Sequence, residues 1–159
     1  MTLHRGKTYR ADSVSLEPPF PEVIRATFQA EDIKASAEEW LEAGIEDESV
    51  YYFAVCENGK VVGQALLHDI DATTGEALVA YDLFEPAHRG RGIGTLMLKL
   101  LQQFVREETD IRTLFIITSR DNPASQRLAQ KCGFRYVGAS REDPVNGMVF
   151  EWQAVRVSD

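Results

Sequence analysis

Residues 85–101 read EPAHRGRGIGTLMLKLL: Gly90, Gly92 and Gly94 alternate with Arg89 and Arg91, and an apolar run of helical spacing follows. A glycine turn that opens directly into a helix makes an anion site. The first helical turn leaves backbone N–H groups without intrahelical partners, and the helix dipole adds partial positive charge there. Glycines let the chain adopt positive φ and let a phosphate approach the backbone closely. Arg89 and Arg91 add formal charge. The expected ligand therefore carries a phosphate or pyrophosphate. A mononucleotide P-loop requires Gly-Lys-Ser/Thr after its second glycine, and that is absent. The dinucleotide fingerprint fails at Thr95, where its third glycine belongs, and it follows a first strand rather than a mid-chain one. Arginine-glycine segments that bind RNA are disordered and repeated, whereas this one is single and flanked by core elements.

Such a loop needs a strand before it and a helix after it. EALVAYDLF (76–84) reads as the strand. The helix spans about 92–108, with Ile93, Leu96, Met97, Leu100, Leu101, Phe104 and Val105 as its buried stripe. Upstream, SVYYFAV (49–55) and VVGQALLHDI (61–70) are strands joined by the Asn-Gly hairpin signal in ENGK, and DATTG (71–75) is a turn. TYRADSVSL (8–16) reads as a first strand. EPPFP (17–21) starts a helix carrying Val23, Ile24, Thr27 and Phe28, and AEDIKASAEEWLEAG (30–44) continues that spacing to a Gly44 cap. Downstream, RTLFIITS (112–119) is apolar enough to be buried on both faces. DNPASQRLAQKCG (121–133) is a helix with Asp121 or Asn122 as N-cap and Gly133 past its end. FRYVGAS (134–140) and MVFEWQAV (148–155) are the last strands. The order β-α-α-β-β-β-α-β-α-β-β implies an α/β fold with a mixed sheet, and the length of 159 residues suits one domain over 1–159.

The formal charge of −8 argues against a nucleic-acid partner, whose footprint is a basic face. It is compatible with a cationic substrate and equally with plain solubility. Cys56 and Cys132 sit in a strand and at a helix end, with no metal-ligand spacing, so both thiols are read as free in a reducing cytoplasm with no metal. No apolar run approaches membrane-spanning length, and MTLHRGKTYR lacks a signal-peptide core.

HRGRGIGTLMLKLL resembles the acetyl-coenzyme A signature of the Gcn5-related N-acetyltransferases (GNAT), Arg/Gln-x-x-Gly-x-Gly/Ala. Arg89, Gly92 and Gly94 occupy its three defining positions, with Pro86 ahead of them. NPASQRLAQKCGF (122–134) resembles the family's second motif at Asn122, Leu128, Lys131, Gly133 and Phe134. The resemblance covers about residues 50–155 and, more weakly, the two N-terminal helices. It implies a largely antiparallel central sheet with helices on both faces, splayed between its two central strands. It implies acetyl-coenzyme A (acetyl-CoA) as co-substrate and a small-molecule or peptide amine as acceptor. The pyrophosphate would be cradled by the backbone of Arg89, Gly90, Arg91, Gly92, Ile93, Gly94 and Thr95. Leu83 and Phe84 match the main-chain positions that pair with the pantetheine arm, and an N–H there would polarise the thioester carbonyl. Asn122, with Ser125 close by, would hydrogen-bond that arm.

Two positions depart from the family pattern. LFEP is one residue shorter than the usual run before the proline, which puts the expected bulge in question. The tyrosine that often protonates the departing thiolate is replaced by Ala129. That favours the rival reading, a non-catalytic acyl-CoA sensor of the same fold. Ser125, Cys132, solvent or another tyrosine are the remaining proton donors. For the base, Asp82 is a charge within an apolar strand, and burial there would raise its pKa to a usable range. Tyr81, on the opposite strand face, is the second candidate. His88 reads as exposed and His68 as a solvated strand end. The acceptor would meet Gln29–Asp32 and Arg141–Gly147, whose acids favour a cation or merely solubility. MVFEW suits a homodimer interface or the core.

Overall fold

The computed structural model describes residues 8–17 and 50–154, together with the backbone at residues 2–3. Apart from Glu17, which ends a strand, the predicted helices over 17–28 and 30–44 and the acceptor-loop acids Glu31 and Asp32 lie outside the described residues. The described strands are β1 (Thr2–Leu3), β2 (Tyr9–Ala11), β3 (Val14–Glu17), β4 (Tyr51–Glu57), β5 (Lys60–Asp71), β6 (Glu76–Leu83), β7 (Thr113–Ser119), β8 (Arg135–Ala139) and β9 (Gly147–Gln153). The described helices are α1 (Ile93–Glu108), between β6 and β7, and α2 (Pro123–Lys131), between β7 and β8.

They build one mixed sheet in the order β2-β3-β4-β5-β6-β7-β9-β8, with β1 added parallel to β4. Along that path every pair is antiparallel except β6–β7. The mixed, largely antiparallel sheet expected from the sequence is present. Its first predicted strand is in fact a hairpin. Asp12 turns at φ 53 between β2 and β3, a left-handed conformation that aspartate tolerates better than most residues. The Asn-Gly prediction holds: Asn58 and Gly59 take φ 51 and φ 80, as a type I′ turn needs, and Glu57 pairs with Lys60.

The core lies between the sheet and α1. Ile93, Met97, Leu100, Leu101, Phe104 and Val105 are buried as the helical spacing predicts, and Leu98 joins them. Phe104 meets Phe53 edge-on at 4.8 Å and Tyr51 at 5.2 Å between ring centroids. Gln102 is buried in the same helix because its Nε2 donates to the Cys132 carbonyl at 2.7 Å, tying α1 to the end of α2. On the other sheet face Ala54 and Cys56 form a separate buried cluster, with Val61 and Phe84 against it.

Burial pushes the Cys56 thiol up to about 12, helped by the neighbouring Glu17 carboxylate. Burial likewise raises the Tyr9 phenol to about 12, with Glu108 beside it. Both groups stay neutral in the folded chain where the unfolded chain ionises. The unfolded state then binds fewer protons, so stability falls as pH rises, from the ordinary thiol value of 9 toward 12. Urea midpoints should drop steadily over that window, and Cys56→Ala should flatten its lower part while costing about 1 kcal/mol at neutral pH. A flat midpoint up to pH 11 in the unmodified protein would contradict this.

One expectation about β7 needs correction. Leu114 and Ile116 are buried, but Ile117 is 49% exposed. The strand loses its neighbour part-way along. β6 and β7 pair only at Glu76–Thr113, Ala77–Leu114 and Leu78–Phe115, and beyond Leu78 they diverge.

Candidate active site

The glycine loop follows β6 through a short 3-10 turn, Pro86–His88. That turn already uses two backbone donors: His88 N–H bonds the Glu85 carbonyl and Arg89 N–H the Pro86 carbonyl. Gly90 and Gly92 take φ 73 and φ 83, and Gly92 is the N-cap of α1, without a side chain to cap it. The first helical bond runs from Leu96 N–H to the Gly92 carbonyl at 3.1 Å. The N–H groups of Ile93, Gly94 and Thr95 precede it and have no intrahelical acceptor. A Cβ on Gly90 or Gly92 would meet nothing within 4 Å, so the space above the loop is open. Gly94 serves a different purpose. Its missing side chain lets α1 approach α2, and a Cβ there would lie 3.3 Å from Leu128 Cδ2.

The two arginines turn back onto the strands. Arg89 Nη2 donates to the Leu83 carbonyl at 3.2 Å and lies 3.9 Å from the Asp82 carboxylate. Arg91 Nη2 donates to Glu57 Oε2 at 3.3 Å, an acid whose side chain is only 15% exposed. Their charge stays beside the loop while their hydrogen bonds hold its shape.

Beyond Leu78 the divergence of β6 from β7 leaves strand backbone unpaired. The direction of the free groups follows from the register. Phe84 N–H bonds the Val62 carbonyl at 2.9 Å, so Phe84, Asp82 and Ala80 direct their backbone groups to β5. Alternation then directs those of Leu83, Tyr81 and Val79 into the opening. Of the two main-chain positions expected to meet a pantetheine arm, Phe84 has its N–H already engaged. No register shift occurs between His68–Leu78 and Gly63–Leu83, so β6 carries no bulge there. Gly63 makes this close pairing possible, since a Cβ would fall 2.2 Å from the Asp82 carbonyl oxygen.

A cleft of about 1020 Å³ occupies the opening. Val79–Leu83 form one wall and Ile116–Thr118 the other, with Arg89, Gly90, Gly92, Gly94 and Thr95 at the loop end. Asn122, Ser125 and Leu128 of the α2 segment line it, and so do His68, Asp69 and Glu142. Asn122 is the N-cap: its Oδ1 accepts from Ser125 N–H at 3.1 Å, with Pro123 in the first turn. Tyr81 reaches across from β6, and its hydroxyl lies 2.8 Å from Ser125 Oγ. Burial raises the Tyr81 phenol above its ordinary value, against a smaller opposite effect of the Ser125 hydroxyl.

The structure brings Tyr81, Leu83, the glycine loop, Asn122 and Ser125 around one cleft. Arg91, Ile93 and Phe84 are not among its lining residues. Asp82 lines the cleft, but its side chain is 56% exposed, so the burial expected to activate it as a base is absent. A carboxylate at a strand end beside Arg89 stays in water. His88 is half-buried rather than exposed, and its Nδ1 has no partner. Cys132 is buried, burial raises its thiol, and Sγ points to the Thr95 carbonyl at 3.7 Å. Ala129 is fully buried one helical turn after Ser125, on the same face of α2. The tyrosine hydroxyl at that face comes instead from β6. The Tyr81–Ser125 pair is the feature that sequence reasoning missed. Strand alternation opposed Tyr81 to Asp82, and NPAS put Ser125 in the first turn of α2, but only the tertiary fold joins them.

Residues 18–135 match the family model described as an acetyltransferase (GNAT) domain. The chain belongs to the GNAT acetyltransferase family. Solved structures agree on the fold of this GNAT domain. The Vibrio cholerae spermidine N-acetyltransferase in complex with CoA and spermine superposes with a TM-score of 0.79 at 15% identity, over 91% of this chain and 97% of that one. The ribosomal L7/L12 alpha-N-protein acetyltransferase RimL in complex with coenzyme A gives 0.74 at 15% identity, over 92% and 98%. The microcin C7 self-immunity acetyltransferase MccE in complex with acetyl-CoA and AMP gives 0.72 at 18%, over 90% and 93%. Family membership supports an N-acetyltransferase.

Proposed function

We propose that this GNAT enzyme transfers an acetyl group from acetyl-CoA to a primary amine of a small molecule or peptide, by direct attack while both substrates are bound. One observation carries the reading. The β6–β7 opening runs from the uncapped N-terminus of α1 to a half-buried hydroxyl pair, Tyr81–Ser125. A pyrophosphate suits the N–H groups of Ile93, Gly94 and Thr95. The pantetheine arm suits the Leu83 N–H, the Tyr81 backbone and the Asn122 side chain, beside a Leu83 carbonyl that Arg89 already engages. The amine nitrogen attacks the carbonyl carbon, a C–N bond forms, and the C–S bond breaks. A strand N–H facing the opening stabilises the tetrahedral oxyanion. The leaving thiolate takes its proton from the Tyr81–Ser125 pair. Holding both substrates together supplies much of the acceleration.

Thiol release from acetyl-CoA should require both enzyme and amine when a panel of monoamines, polyamines and peptides is offered. Tight coenzyme A binding without release on any amine would overturn the reading. Asp82→Asn should alter turnover and the KM for acetyl-CoA by less than about fivefold, because exposed ion pairs contribute at most about 1 kcal/mol. A hundredfold loss of turnover would restore Asp82 as the base.

Two further readings stand beside this one. The thiols of Cys56 and Cys132 are free and buried, which supports a reducing cytoplasmic setting. Among the described residues no helix is long and apolar enough to cross a membrane. Within MVFEW, Phe150 is buried, Met148 and Trp152 pack against the core, and Trp152 stacks on Phe134 at 6.2 Å between centroids, while Val149 and Glu151 on the other strand face are half-buried.

A further inference from the structure

We propose that His68 is the general base that takes the proton of the attacking ammonium, held in its working tautomer by Asp69. The inference rests on the acetyl-transfer reading above and adds to it the proton acceptor that Asp82 does not supply. His68 and Asp69 line the same cleft as Tyr81 and Ser125. His68 Nδ1 lies 2.6 Å from Asp69 Oδ2.

That contact is not what a strand gives by itself. Successive side chains on a regular strand point to opposite faces, so adjacent residues cannot meet. Here β5 carries one extra residue between two pairs, His68–Leu78 and Asp71–Glu76, and Asp69 adopts φ 50. This bulge swings the Asp69 carboxylate onto the imidazole. Bulges re-aim side chains in this way and concentrate beside active sites. With the carboxylate ionised, Nδ1 must carry the shared proton, and Nε2 keeps a free lone pair.

The register also places the ring. His68 pairs with Leu78, so it shares a sheet face with Ala80 and Asp82, opposite to Tyr81. Tyr81 meets α2 on its own face. The proton donor for the thiolate and the acceptor for the ammonium thus reach the opening from its two sides. The ring is 31% exposed, enough for substrate or one relaying water to reach it. Among the described residues, the charged groups lining the cleft are the acids Asp69, Asp82 and Glu142 and the cations Arg89, Arg127 and Lys131; Leu78 from β6 and Ile117 from β7 are apolar.

Four measurements on the full chain test the dyad. His68→Ala should lower turnover roughly a hundredfold or more, with the KM for acetyl-CoA within twofold. Added imidazole should restore part of that turnover in His68→Ala and none in the unmodified protein. Asp69→Asn should lower turnover by about tenfold while leaving coenzyme affinity unchanged. Long-range proton–nitrogen NMR, assigned by comparison with His68→Ala, should show the His68 proton on Nδ1, and Asp69→Asn should redistribute it toward Nε2. Turnover of His68→Ala within threefold of the unmodified enzyme overturns the proposal. So does an Nε2–H ring in the unmodified protein, a result independent of activity. If no amine elicits thiol release at all, acetyl transfer to amines fails, and the proposal fails with it even where the tautomer is as expected.

Discussion

Gly92→Glu should abolish coenzyme A binding while leaving the protein folded. Two effects act together. Gly92 sits at φ 83, where an L-residue is disfavoured by roughly 1–2 kcal/mol. The new carboxylate would also stand at the uncapped N-terminus of α1, where it satisfies the same N–H groups and repels a pyrophosphate. Because nothing lies within 4 Å of a Cβ built there, the side chain damages no packing. Calorimetric titration should show affinity reduced by at least about a hundredfold, with a melting temperature within a few degrees of the parent. Gly92→Ala separates the two effects, since it adds the strain without the charge and should lose less. Gly94 makes a useful contrast. A methyl group there must displace Leu128 by a few tenths of an ångström, so its effect would appear in the α1–α2 contact rather than in charge. Unchanged coenzyme affinity in Gly92→Glu would remove the loop from the site.

Local chemistry explains which parts of this site were legible beforehand. Asn58-Gly59, Gly92 and Asn122 each report a conformation required within a few residues of themselves: a type I′ turn, a left-handed cap, a side-chain cap. The apolar stripe of α1 is likewise a local period; it departs at Leu96, which is half-buried, at Leu98, which is buried, and at Gln102, whose burial depends on a carbonyl at the end of α2. The features read wrongly depend on what lies far away in the chain. β7 is as apolar as a fully buried strand, yet Ile117 is exposed because β6 leaves it after three pairs. Asp82 looked buried for the same reason, as part of an apolar run whose end faces water beside Arg89. The pairing of Tyr81 with Ser125 spans 44 residues, and no spacing rule connects them. The His68–Asp69 contact is adjacent in sequence and was still invisible, because regular strand geometry forbids it and only the bulge permits it.

The hydroxyl pair predicts a second large effect, this time on turnover. Tyr81→Phe keeps the ring that packs against the core and deletes only the hydroxyl. Stability should fall by about 1 kcal/mol, the usual net value of one hydrogen bond. Turnover should fall further, by about 10- to 100-fold, with the KM for acetyl-CoA changed less than threefold. The expected loss lies at the low end for general acid catalysis because a thiolate, with a thiol pKa around 8.5, is a weak base. Ser125→Ala should have a comparable effect, since it removes the other half of the same donor. If the two hydroxyls relay one proton, the double variant will lose little more than either single one, whereas independent roles would multiply. The alkaline side provides a second check. Burial holds the Tyr81 phenol above its ordinary value, so the donor stays protonated as pH rises toward 10 and does not impose an alkaline limb below it. A Tyr81→Phe enzyme with full turnover would leave the thiolate to be protonated by solvent and would reduce the phenol to a packing residue.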